Sequence, residues 1–313
     1  MHNLILNENL KIYKRTGTLV MMFLLLAIII TVGIVTKFVF SDSQTDDWKA
    51  TLQAETTQLQ QDIDTGSYPK TAINYMEKEI AINEYRLSHD IPPTESQTLW
   101  GFMITSSDIT ILVSLFTIVV GAGIVASEFS WGTIKLLLIR PVSRSKILLS
   151  KFLATMLFAL LSLFLLFTFS FIVGSILYGF DGLTLPYLAY TEGKVVEQNM
   201  LTYILTLYGL KSVNLVMMVT FAFMISTVFR SSSLSIGLAI FLMFTGSQIV
   251  QIFSRYDWVK YILFANTDLS QYINGTPIVE GMTITFSITI LVIYFLLFTG
   301  LSWYIFNKRD VAA

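Results

Sequence analysis

The sequence predicts an all-α membrane protein with six transmembrane helices, an N-terminal interfacial helix and an extracellular helical hairpin. Three observations carry this. Of 313 residues, 54% are hydrophobic and 13% charged, with a mean hydropathy of +0.68, whereas soluble domains carry about 25% charged residues. The apolar residues gather in runs of about 20, the length that crosses a bilayer core. The lysines and arginines crowd into alternate connections between those runs, the bias that orients a polytopic chain.

Residues 1–16 form the interfacial element: Leu6, Leu10 and Tyr13 recur at helical spacing, with Lys11, Lys14 and Arg15 on or beside the polar side. The first span covers 17–40, and its middle, MMFLLLAIIITVGIV, holds no charge. It lacks a small-residue cleavage site, so it reads as a retained span and not a removed signal peptide. From 41 to 100 the chain turns polar and acidic. Trp48, Leu52, Leu59 and Ile63 make one helical stripe, and Ile73, Met76, Ile80 and Leu87 another. The turn between them is Asp64-Thr65-Gly66-Ser67 with Pro69, and Pro92-Pro93 ends the second arm.

The remaining five spans occupy 101–313. The second runs from about 109 to 127, with Ser106 or Ser107 as N-cap. The third covers about 152–180, a polar loop fills 181–200, and the fourth covers about 201–229. The fifth runs 234–253. A mixed segment at 254–281 carries Trp258, Tyr261, Phe264 and Asn266, suggesting short, partly inserted helices before the last span at about 282–306.

With the N-terminus inside, the inner segments hold eleven cations, Lys135, Arg140, Arg144, Lys146, Lys151, Arg230, Lys308 and Arg309 among them, against Glu8, Glu128 and Asp310. The outer hairpin holds most of the acids. The expectation is a multi-pass protein of the cell membrane with both termini cytoplasmic.

A net charge of -1 gives no footprint for nucleic acid, and the absence of cysteine removes disulfides, thiolate nucleophiles and Cys-ligated metals. The only histidines are His2 and His89, both outside the spans, so no H-E-x-x-H site exists. No G-x-S-x-G is present either. Catalytic, metal and cofactor-binding residues are therefore expected to be absent. A phosphate-binding G-x-x-x-x-G-K-[ST] stretch is missing as well, so any ATP must be hydrolysed by another polypeptide.

The most informative stretch is the link at 127–151. Thr133 to Ile139 is long enough for two helical turns, bounded by Gly132 and Pro141, and Ser143 is placed to cap the next span. A stiff element there would pass the movement of a docked protein to the spans. On spacing alone, a basic loop that merely fixes topology is the plainer reading.

The pattern Glu128, Gly132-Thr133, Leu138, Arg140-Pro141 and Ser143-Arg144 resembles the ABC-2 type permeases (type V exporter-like), the membrane subunits of ABC transporters. The interfacial N-terminal helix, six spans and a Lys-Arg-Asp ending agree, and the likeness covers the chain apart from the acidic hairpin. The resemblance implies an ATP-driven exporter. Glu128, Gly132, Thr133, Arg140, Pro141, Ser143 and Arg144 would form or support a coupling loop seated on an ATPase subunit. It also implies a dimer of ABC ATPase subunits carrying ATP and Mg, a second permease subunit, identical or related, and contacts with membrane lipids. Antimicrobial peptides, lipids and other amphiphiles are among the substrates of such proteins.

Within the fourth span, Lys211 and Asn214 lie one turn apart. An intramembrane ammonium usually faces a cavity or a partner, which makes the two candidates for a substrate path. Snorkelling of Lys211 to the outer interface is the plainer reading. Asp108 is expected at a helix N-terminus, where the dipole favours an anion. The competing function is an ion-coupled secondary transporter, or a sensor whose extracellular hairpin binds a ligand.

Overall fold

The computed structural model describes residues 1–39, 48–66, 68, 70–94, 97–134, 141–180, 182–191, 193–229, 231–274 and 277–308. Among these, six helical stretches are long and apolar enough to cross a membrane, and the fold is all-α apart from one small hairpin of strands. The chain opens with α1 (His2–Tyr13), followed by the first span α2 (Thr16–Phe38). Lys37, in the last turn of α2, donates to the carbonyl of Leu177 on the third span.

The polar insertion is a helical hairpin of α3 (Trp48–Asp64) and α4 (Lys70–His89) packed on each other. Gly66 turns the chain at φ +67°, a value glycine adopts without steric cost. Asp90 ends α4 at φ +57° and pairs with Lys49 at 2.6 Å.

The second span differs from the sequence expectation. It begins ten residues earlier, as α5 (Leu99–Ser107), and resumes as α6 (Thr110–Ser130) after a break at Asp108 and Ile109. Ser106 and Ser107 are the last residues of α5, not a cap. Thr98 caps instead, its hydroxyl accepting from the Gly101 amide at 3.1 Å. The apolar run 99–104 extends the helix toward its N-terminus, so the cap moves with it. At the break, the Asp108 and Ile109 amides reach only to the carbonyls three residues back, a tightened last turn.

The third span, α7 (Arg144–Tyr178), has 35 residues and is about 50 Å long at 1.5 Å per residue. A bilayer core is about 30 Å thick, so its first turns project beyond the membrane. Ser143 stands at its N-cap position without a side-chain capping bond. The segment read as a polar loop contains strands β1 (Tyr187–Thr191) and β2 (Lys194–Gln198), antiparallel, with Gly193 at φ +78° in the turn. The hairpin is anchored where Tyr187 stacks on Tyr203 at 3.6 Å and where Tyr85 of α4 donates to Glu197 at 3.2 Å.

The fourth and fifth spans are α8 (Met200–Val228) and α9 (Ser232–Phe253). A 3-10 turn (Asp257–Tyr261) and two one-turn helices, α10 (Leu263–Asn266) and α11 (Gln271–Asn274), lead to the last span, α12 (Ile284–Lys308). The second and fourth spans form the interior: 78% and 61% of their apolar stretches are buried, against 17–33% for the other four. Gly121 permits the close approach, since a side chain there would meet Thr155 at 3.3 Å and Ala222 at 3.5 Å. Lys211 on α8 is mostly covered, its side chain 16% exposed.

Candidate functional site

Four charges meet where α1, the end of α6 and the start of α7 come together. Lys151 is 1% exposed, and its ammonium lies 2.8 Å from both Glu8 Oε2 and Glu128 Oε1. Lys11 approaches the same carboxylates, at 2.9 Å to Glu8 and 3.4 Å to Glu128. Two acids and two cations thus neutralise one another in a place where an unpaired charge would cost several kcal/mol. Burial alone would raise the Glu8 carboxyl, but the charge and hydrogen bonds of Lys151, with Lys11, outweigh it and hold that pKa below the ordinary 4.5.

The cluster reaches the loop through Thr133, whose hydroxyl donates to Glu128 Oε2. Gly132 adopts φ +72° with open space where a side chain would stand, so the chain reverses tightly after α6 and brings Thr133 back over Glu128. Trp131 takes the Arg15 guanidinium on its face at 5.3 Å. On the far side of the loop, Arg144 donates to the Asn307 carbonyl at 3.2 Å and Ser145 pairs with the Asn307 side chain. Both ends of the connection are tied, one to the first helix and one to the last.

A second site lies at the other end of the bundle, about 30 Å along the helix axis from Glu128 if twenty residues each rise 1.5 Å. Here a cavity of about 510 Å³ opens between α6, α8, α9 and the short helix α10. Lys211 and Asn214 line it together with Asp108. Lys211 pairs with Asp108 at 2.6 Å. Lys211 thus reaches a carboxylate at the helix break, whose own side chain is exposed, an arrangement compatible with both the cavity-lining and the snorkelling readings. Asp108 stands just ahead of α6, as expected of a residue near a helix N-terminus, but its side chain is spent on the lysine.

Residues 70–312 match the family described as protein of unknown function (DUF2705). The chain belongs to the DUF2705 family. It is 45% identical over 315 residues to the uncharacterized protein YhcI of Bacillus subtilis, the match covering all of both chains. It is also 32% identical over 214 residues to the uncharacterized membrane protein YdbK of the same organism, covering 67% of this chain and 82% of the relative. The membrane character of this DUF2705 member thus agrees with its six apolar helices. The family match begins at α4, so the Glu8 arm of the ion cluster lies outside the matched region.

Of the residues singled out in the loop, the structure brings Glu128 and Thr133 into direct contact. Gly132 sits at the turn between them. Pro141 and Ser143 lead into α7, and Arg144 reaches Asn307. Arg140 and most of the expected 133–139 helix lie outside the described residues. Glu128 faces inward, 8% exposed, so it supports the loop from below and does not present itself on the surface. Sequence reasoning passed over Glu8 and Lys151 as site residues. The available signal was that Glu8 and Glu128 are nearly the only acids among the segments rich in Lys and Arg.

Proposed function

We propose that this chain is the membrane-spanning permease subunit of an ATP-driven exporter of the ABC-2 kind, with both termini on the cytoplasmic side. A separate pair of ATPase subunits would bind ATP and Mg, and a second permease chain would complete the assembly. The observation that carries the reading is the ion cluster under the loop between the second and third spans. Force applied at 131–143 passes through Thr133 to Glu128. From Glu128 it passes through Lys151 to α7 and, by way of Glu8, to α1. A loop pinned at both ends transmits displacement that a slack one would absorb. The motif resemblance at 128–144 and the excess of Lys and Arg on that side of the bundle support the same assignment.

The test is affinity purification of the tagged full chain from its native membrane, followed by identification of bound ATPases and reconstitution into vesicles. An ATPase partner and nucleotide-dependent export are expected, and Glu128→Gln should keep the partner while lowering transport per ATP hydrolysed. The Asp108–Lys211 pair favours one other reading, an ion-coupled carrier. Gradient-driven flux in vesicles holding this chain alone, indifferent to nucleotide, would replace the export reading with that one.

A further inference from the structure

We propose that the cavity between α6, α8 and α9 binds a lipophilic organic cation, an ammonium-type head on an apolar body. Only the claim that this molecule is the substrate rests on the permease reading. Three ionisable groups line the cavity among the described residues: Asp108, Asp268 and Lys211. The Lys211 ammonium, 2.6 Å from Asp108, cancels one acid. Asp268, exposed at the mouth, has no cation partner among the described residues, one of its oxygens accepting from the amide and hydroxyl of Ser270 at 3.0 and 2.5 Å. A cleft with low-dielectric walls and a single sign of net charge concentrates the opposite ion. An anion would meet one cation already held by a carboxylate, and would face Asp268 besides.

The second observation lies deeper in the same cavity. Ser114 of α6 is 3% exposed, and its hydroxyl has no hydrogen-bond partner among the described residues. The side-chain oxygen of Asn214 on α8 is likewise unpaired. A buried polar atom left unmatched is destabilising, and an ammonium N–H would satisfy either oxygen. Met218, Met243 and Phe264 add apolar wall beside the polar Ser247, Gln248 and Gln251. Thioethers adapt to varied apolar shapes, and an aromatic face attracts a cation. At the rim, Ile111 and Phe244 are 61% and 50% exposed, so the apolar part of a bound amphiphile can run outward beside lipid. The volume is of the size that holds a drug-sized molecule.

The experiment uses the purified full chain in zwitterionic lipid nanodiscs, with rhodamine 6G as probe and fluorescence anisotropy as readout. Saturable binding is expected, displaced by dodecylammonium and not by dodecyl sulfate at equal submicellar concentration. Asp268→Asn should weaken binding about tenfold, the loss of one charge-assisted contact. Lys211→Met should tighten it severalfold by releasing Asp108 to the ligand. Ser114→Ala, a smaller change that leaves the charges in place, should weaken it about threefold and serves if Asp268→Asn fails to fold. Equal displacement by dodecyl sulfate, or loss of binding in Lys211→Met, would overturn the proposal. So would unchanged affinity in Asp268→Asn and Ser114→Ala. Cation binding by a chain that recruits no ATPase would sink the permease reading and leave the site standing, and an ATPase-bound chain without cation preference would do the reverse.

Discussion

The ring of Phe264 occupies the space in which a side chain at Gly246 would stand. The one-turn helix α10 therefore lies against α9 with no allowance for even a methyl group, and Phe264 also forms a wall of the cavity. Gly246→Ala should push the ring aside and destabilise the protein by about 1–3 kcal/mol, the usual cost of overpacking. A lowered melting temperature in detergent, together with altered rhodamine 6G affinity, is the expected result.

Removing Lys151 leaves Glu8 and Glu128 facing each other with only the half-exposed Lys11 between them. Lys151→Met should cost about 3–5 kcal/mol, because it strands buried charge. Adding Glu8→Gln and Glu128→Gln to the same chain should restore most of the loss, since the carboxylates that needed the lysine are then gone. Thermal unfolding of the single and triple variants measures both steps.

The depressed pKa of Glu8 fixes the direction of a pH effect. A carboxyl held lower in the folded state than in the unfolded chain adds stability that is fully present above the unfolded value, here the ordinary 4.5, and is lost as pH falls through the folded value. Melting temperature should therefore hold from neutrality to about pH 4.5 and decline below it. Glu8→Gln should flatten the Glu8 share of that decline.

Asn266, fully buried, ties the segment before the last span. Its amide donates to the carbonyls of Lys260 and Ile262 at 2.8 Å, and its oxygen accepts from Ser287 at 2.7 Å. Asn266→Ala should cost about 2–4 kcal/mol for the three lost bonds. It should also open residues 257–274 to limited proteolysis, leaving the other connections as resistant as before.

The spans were legible because each is a run long enough to cross a bilayer, and Lys211 and Asn214 stood out because polar side chains are rare there. The strand pair was not. The stretch 187–198 carries only Gly193, the Val195-Val196 pair and tyrosines as signals, and its stability comes from Tyr203 and Glu197 meeting distant partners. The break at Asp108 was read as the start of the span, because the polar Thr105-Ser106-Ser107-Asp108 run looks like a cap and the short apolar run 99–104 ahead of it was not taken as helix. The loop motif pointed to Glu128 and Thr133 but not to the rest of the ion cluster, because Glu8 and Lys151 stand 143 positions apart and no local periodicity links them.

That separation also orders events at the ribosome. At about 5–20 residues per second, Lys151 emerges roughly 7–30 s after Glu8. Until then the first helix has no counter-ion in α7 to hold it, and its docking waits for the third span to be in place. Seating of the N-terminus is thus a late event in assembly, one that reports that half the chain has been inserted in the correct sense.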